Sequence, residues 1–274
     1  MIIDAHAHFW KFDRVRDSWI TDEMKILRQD HLPLHLSSLL KDNEIDGCVA
    51  VQADQSETET FYLTELSKIN PFIKGIVGWV DLQSDNVEKR LEYFSQSPII
   101  KGWRHIVQSE RDGFLSGKKF LRGIQALEKY NYTYDLLINH QQLKPALEFV
   151  SQFPEQKFVI DHCGKPDVKN KNANDWKMYM KEMAAYPNIY CKLSGLLTEA
   201  NWRVWDRADF NPYLDTVFGL FGADRLLFGS DWPVLQLSGT YRQWKNLIEN
   251  YMQYHTAEEK QKVFGLNAVQ FYNL

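Results

Sequence analysis

Cysteine is scarce. Cys48, Cys163 and Cys191 are odd in number and far apart, and none belongs to a Cys-x-x-Cys pair. This excludes a disulfide framework, gives no support to a zinc ribbon or thioredoxin-like site, and sets the expectation of a reducing compartment, the cytoplasm. Cys163 stands beside His162, yet a small buried residue accounts for it better than a nucleophile does. Basic charge is also short: 32 Lys and Arg against 36 Asp and Glu leave a net charge of −4, so no basic face is expected to bind nucleic acid. No stretch approaches the roughly 18 apolar residues of a membrane span, and no basic-then-apolar leader precedes Asp4 and His6, so the reading is a soluble, unexported chain with no membrane partner. A glycine-rich phosphate turn is missing after the first apolar run, where His6-Ala7-His8 stands instead, which argues against a doubly wound open sheet. No Pro/Gly/Ser linker or internal repeat divides residues 1–274, so one domain is expected.

What is present is a rhythm. The length of 274 residues is close to the roughly 250 that a closed parallel α/β barrel needs, and 44% hydrophobic residues supply a substantial core. Short apolar runs predict strands at Ile2–His6, Gly47–Gln52, Ile76–Leu82, Ile99–Ile106, Thr133–Ile138, Lys157–His162, Ile189–Leu193 and Arg225–Gly229. Between them lie one-sided helical stripes: Phe61, Leu66 and Ile69; Val87, Leu91 and Phe94; Phe120, Ile124 and Leu127; Leu143, Leu147 and Val150. Eight strands alternating with helices predict a (β/α)₈ TIM barrel. The segments Asp13–Pro33 and Thr198–Phe210 are long for barrel loops and are expected to cover the mouth, whereas Lys169–Asn174 reads as a solvated loop.

The chemistry gathers at strand ends. In Ile2-Ile3-Asp4-Ala5-His6-Ala7-His8 an apolar strand ends in two histidines two residues apart, which alternation places on one side, facing the mouth where barrel catalysts sit. Taken alone, the pair is equally well read as one core and one surface histidine. His162, ending the sixth strand, and Asp231, ending the eighth, decide the matter, because all four groups emerge at one rim. Three histidines and a carboxylate are ligand types for zinc, and Asp231 can also take a proton from an attacking water. His31, His35 and His255 lack partners at ligand spacing and read as surface residues, and His105 should face away from its neighbour Arg104.

The chain resembles the amidohydrolase superfamily, in particular its sugar-lactone hydrolases related to L-fuconolactonase and L-rhamnonolactonase. The resemblance spans the whole length and rests on Ile3-Asp4-Ala5-His6-Ala7-His8-Phe9-Trp10, Lys101-Gly102-Trp103-Arg104-His105, Tyr134-Asp135-Leu136-Leu137, Asp161-His162-Cys163-Gly164-Lys165-Pro166, Lys192-Leu193-Ser194-Gly195-Leu196, Phe228-Gly229-Ser230-Asp231-Trp232-Pro233-Val234 and the closing Phe264-Gly265-Leu266-Asn267-Ala268. Two-metal members have a bridging lysine on the fourth strand; Arg104-His105 stands there in this chain, so a dinuclear centre is disfavoured. The resemblance implies one divalent ion, zinc, on His6, His8, His162 and Asp231, although related lactonases also work with weakly bound metal or none. His140, after the fifth strand, is open as a further ligand or substrate contact.

The implied reaction opens an aldonolactone to its aldonic acid. Asp231 is the candidate base; Arg104, a metal ion or both would stabilise the oxyanion; His162 or His140 would return the last proton. Arg104 also has a plain reading as an ion-pair partner inside the barrel. Lys165, Trp10, Trp103 and Trp232 are candidate substrate contacts, the tryptophans offering flat faces to a sugar ring, with barrel wall as their alternative. Rival readings are a pyrone-dicarboxylate lactonase or a decarboxylase on the same scaffold, and a non-catalytic sugar-acid binding protein. The expected partner is a small-molecule lactone, with a homo-oligomer left open.

Overall fold

The apolar runs become strands where the chain finds neighbours on both edges. A computed structural model describes residues 1–202 and 204–274. In it β1 (Ile3–Ala7), β2 (Gly47–Val51), β3 (Ile73–Gly78), β4 (Ile100–His105), β5 (Thr133–Leu136), β6 (Phe158–Ile160), β7 (Ile189–Leu193) and β8 (Leu226–Phe228) pair in parallel in chain order. The ring is sealed between its first and last strands. Ala7 bridges Trp232, the Asp231 N–H donates to His6 O at 2.8 Å, and the His8 N–H donates to Trp232 O at 2.7 Å. Outside run α1 (Pro33–Asp42), α2 (Glu57–Ile69), α3 (Val87–Phe94), α4 (Lys118–Glu128), α5 (Leu143–Val150), α6 (Asn174–Ala184), α8 (Asn211–Phe221), α9 (Tyr241–Tyr251) and α10 (Ala257–Gln261), while the short α7 (Leu196–Glu199) stands at the mouth and α11 (Asn267–Tyr272) closes one end. The chain is a (β/α)₈ barrel, and among the described residues no helix is long and apolar enough to cross a membrane.

Alternation along the strands separates two cores. Trp103, Tyr134, Phe158, Leu193 and Phe228 face outward under the helices, whereas Ile3, Ala5, Val49, Val51, Val77, Val159 and Leu227 fill the barrel, plugged at one end by Phe271 and Tyr272 of α11. A third cluster at the mouth joins Trp10, Ile20, Leu27 and Leu237. In β1, Asp4 pairs with Cys48 and Ala7 with Ala50, so one extra residue is inserted against β2. This bulge resets the alternation: Ile3 and Ala5 point into the barrel core, and beyond it His6 and His8 point into the mouth.

Several expectations are corrected. The third strand is Ile73–Gly78 rather than Ile76–Leu82, because pairing begins straight after the turn that joins Ile73 N–H to Asn70 O; Val80 and Leu82 are buried by loop packing instead. The sixth strand stops at Ile160, where the backbone turns left-handed through His162 and Cys163. On α2 the stripe is displaced: Phe61 and Ile69 are exposed, while Glu59, Thr60 and Leu63 face inward. Hydrogen bonding explains it, since Thr60 Oγ1 donates to Trp79 O at 2.8 Å and Glu59 Oε1 accepts from the Ala53 N–H at 2.8 Å. His31 is buried rather than on the surface, edge-on to Trp10 and Trp232 with ring centroids 4.9 and 5.4 Å away.

Burial pushes the Glu59 carboxyl up to about 7, from an ordinary value of 4.5. The folded state therefore binds this proton more tightly than the unfolded state, so the contribution is fully present below pH 4.5 and is lost as pH rises through about 7. The loss is at most about 3 kcal/mol. Denaturant titrations from pH 4 to 8 should show Glu59→Gln losing less stability than the native chain over that window; parallel curves would refute the assignment.

Candidate active site

Two glycines admit the histidines. A Cβ on Gly195, itself at φ +69°, would lie 2.5 Å from the His162 Cβ, and one on Gly229 would lie 2.9 Å from the His6 Cβ. His162, Cys163, Lys165 and Asp231 all take positive φ, a conformation that side-chain-bearing residues hold only where their surroundings over-determine it. Both strand-end turns are thus strained in order to aim His162 and Asp231 inward.

The four groups converge. His8 Nε2 lies 3.3 Å from Asp231 Oδ1, and His6 Nε2 and His162 Nε2 each lie 3.8 Å from the same oxygen. His8 Nδ1 donates to Val51 O at 2.8 Å, which turns its Nε2 toward the site, and His162 Nδ1 is bonded to Ser194 Oγ at 2.8 Å. His6 Nε2 and His8 Nε2 stand 3.1 Å apart. Two nitrogen lone pairs that close repel unless a cation or proton lies between them, and ligands of a tetrahedral ion with bonds of about 2.1 Å are spaced similarly. Among the described residues His6, His8 and Asp231 have the spacing to hold a metal ion, and a second grouping of His6, Asp161 and His162 overlaps them through His6, with His162 Nε2 also 3.8 Å from Asp231 Oδ1.

Beneath lies a buried charge network. Lys192 Nζ reaches Asp135 Oδ2 at 2.5 Å, Asp161 Oδ1 at 3.0 Å and His6 Nδ1 at 3.1 Å; Arg104 Nη1 reaches Asp161 Oδ2 at 3.1 Å and His6 Nε2 at 3.2 Å. Arg104 also donates to Gln52 O, and Tyr272 OH donates to Asp135 at 2.8 Å. Two cations meet two carboxylates, so the layer is charge-balanced. Burial opposes ionisation of Asp161, but Lys192, His6 and Arg104 together hold it well below the carboxylate range. Burial draws the His6 pKa far down and that of His162 to about 4, leaving neutral imidazoles able to act as ligands. For Asp231 burial is outweighed by His162, His8 and Lys165, so it is a carboxylate.

A cavity of about 290 Å³ opens above, with His8, Arg104, His162 and Asp231 on its floor and Trp10, Trp19, Met24, Gln108, Lys165, Glu199, Trp202 and Leu237 among its walls. Trp19 and Met24 come from the Asp13–Pro33 segment and Glu199 and Trp202 from Thr198–Phe210, of which position 203 lies outside the described residues. Three site expectations are corrected. Trp103 faces outward, against Phe94 and Tyr132, because it alternates with Arg104. Trp232 is buried behind the rim against Phe9 and His31. His140 hydrogen-bonds Lys165 O at 3.1 Å and does not line the cavity. His105 faces away from Arg104 as expected, pairing with Glu110 at 2.8 Å. Sequence reasoning did not single out Asp135, Asp161, Lys192, Ser194, Glu199, Trp19 or Trp202; the available signal for the first three was a lone charge inside or ending an apolar barrel strand.

Known proteins agree with this architecture. The chain is 34% identical to an L-fucono-1,5-lactonase of Burkholderia multivorans, with 99% of this chain and 96% of that one covered. It is 28% identical to an L-rhamnono-gamma-lactonase of Scheffersomyces stipitis over 66% of this chain and 61% of that one. A crystal structure of a Burkholderia multivorans amidohydrolase with bound zinc superposes with a TM-score of 0.97 at 34% identity, covering 100% of this chain and 99% of that one. With the amidohydrolase sequence profile matching residues 3–274, from the first barrel strand to the last helix, the chain belongs to the amidohydrolase family.

Proposed function

We propose that this enzyme hydrolyses sugar-derived lactones to aldonic acids, with Asp231 as general base. The observation that carries the reading is the convergence of Asp231, His8, His162 and Arg104 on the floor of one sugar-sized cavity, and the named lactonases among its relatives supply the substrate class. Asp231 takes a proton from water as the water oxygen attacks the lactone carbonyl carbon. Arg104 stabilises the charge growing on the carbonyl oxygen. Collapse breaks the bond from that carbon to the ring oxygen, and the proton returns from Asp231 to the departing oxygen. A single divalent ion, zinc for this ligand set, would be held by His6, His8, His162 and Asp231 and would supply Lewis-acid polarisation when bound.

The cavity favours a neutral substrate. Among the described residues lining it, Arg104 and Lys165 are matched by Glu199 and Asp231, so the lining carries no excess positive charge to draw a dicarboxylate. Acid release in a lightly buffered indicator assay should be seen with L-fuconolactone or L-rhamnonolactone and not with a pyrone dicarboxylate. Sensitivity to a chelator, restored by added zinc, is the expected mark of the ion. No turnover of any sugar lactone with zinc present would remove the reading.

A further inference from the structure

We infer that Lys165 and Glu199 together read a vicinal diol on the substrate ring and so set which polyhydroxylated lactone the site accepts; this rests on the lactonase reading above. Both side chains line the cavity, in a wall otherwise rich in Trp10, Trp19, Met24, Trp202 and Leu237. Neither is free to drift. Lys165 sits three residues after His162 at φ 47° and ψ 64°, its N–H donating to His162 O at 2.9 Å and its carbonyl held by His140. Glu199 ends α7, the short helix launched from Gly195, whose backbone presses on the His162 ring. Two separate elements, both registered on His162, thus deliver one cation and one anion to the same cavity.

Their pairing leaves bonding capacity. Lys165 Nζ and Glu199 Oε1 are 3.3 Å apart, with the side chains 22% and 26% exposed, longer than the roughly 2.7–2.9 Å of a tight charge-assisted bond. An ammonium offers only donors and a carboxylate only acceptors, whereas each hydroxyl of a diol both donates and accepts. Adjacent hydroxyls can therefore accept from Lys165 and donate to Glu199 at once. A ring lacking them would leave the pair facing an apolar surface.

The test is steady-state hydrolysis by the native enzyme, Glu199→Gln and Lys165→Met of L-fuconolactone and of δ-hexanolactone, which carries no ring hydroxyls, with thermal midpoints as a check of folding. On the sugar lactone each variant should raise KM by about 10- to 100-fold, the worth of a hydrogen bond to a charged group, with kcat changed by less than about threefold. On δ-hexanolactone the KM change should stay below about threefold. An unchanged KM on the sugar lactone, or equal changes on both substrates, would show that the pair only ties the His162 turn to α7. If the native enzyme leaves δ-hexanolactone untouched, the split between KM and kcat on the sugar lactone decides alone. If Glu199→Gln does not fold, Glu199→Asp, which keeps the charge but shortens its reach, must show the same KM rise. Native enzyme that opens no sugar lactone would overturn the lactonase reading itself, a result distinct from a flat KM in the variants.

Discussion

Asp231→Asn is expected to lower kcat for lactone hydrolysis by about 100- to 10,000-fold, the usual worth of a positioned general base, while the thermal midpoint stays close to that of the native enzyme. The two effects separate because the substitution keeps the shape and contacts of the side chain but removes its basicity. Asn can still hydrogen-bond His8 Nε2, which faces Asp231 Oδ1 at 3.3 Å, since its side chain both donates and accepts. The backbone seam through Asp231 N–H and His6 O is untouched. Kinetics alongside thermal melts check this, and activity above about a tenth of native would move the base role elsewhere.

Lys192→Met should show the opposite pattern, with a loss of stability as the leading effect. Lys192 is fully buried and stands within 3.0 Å of both Asp135 and Asp161. Removing one partner of a buried ion network strands its counter-charge at a cost of about 3–5 kcal/mol. At about 2–4 °C per kcal/mol for a domain near this size, the midpoint should fall by about 6–20 °C. Asp161 keeps Arg104 at 3.1 Å, so Asp135 is the group left uncompensated. Adding Asp135→Asn to the same chain should recover part of the loss. A double variant that loses the sum of the two single effects would mean that Lys192 and Asp135 do not compensate one another.

The fold was legible because buried parallel strands carry their signature in composition: Gly47–Val51 and Ile189–Leu193 are short runs enclosed on both faces, and their boundaries follow. Ile73–Gly78 was misplaced because Val80 and Leu82 extend the apolar run past the last paired residue. The α2 stripe failed for a related reason: hydrogen bonds to neighbouring loops bury Glu59 and Thr60, which hydrophobicity alone would leave outside. At the site, His6, His8, His162 and Asp231 could be read because each lies within three residues of the C-terminal end of an apolar strand. The bulge that turns His6 and His8 into the mouth could not be, since it depends on the register against β2. Trp103 and Trp232 stood next to site residues in sequence, but alternation at the first and a turn at the second sent them elsewhere. Glu199 and Lys165 meet only through the third dimension, 34 positions apart in the chain.

The seam between β1 and β8 ties competence to biosynthesis. His8 is made 223 positions before Asp231, whose backbone bonds His6 across the seam. At about 5–20 residues per second that interval is roughly 10–45 s. During translation no partial chain short of the last strand can assemble the carboxylate with its histidines, so the onset of hydrolysis marks closure of the barrel and can serve as a clock for its folding.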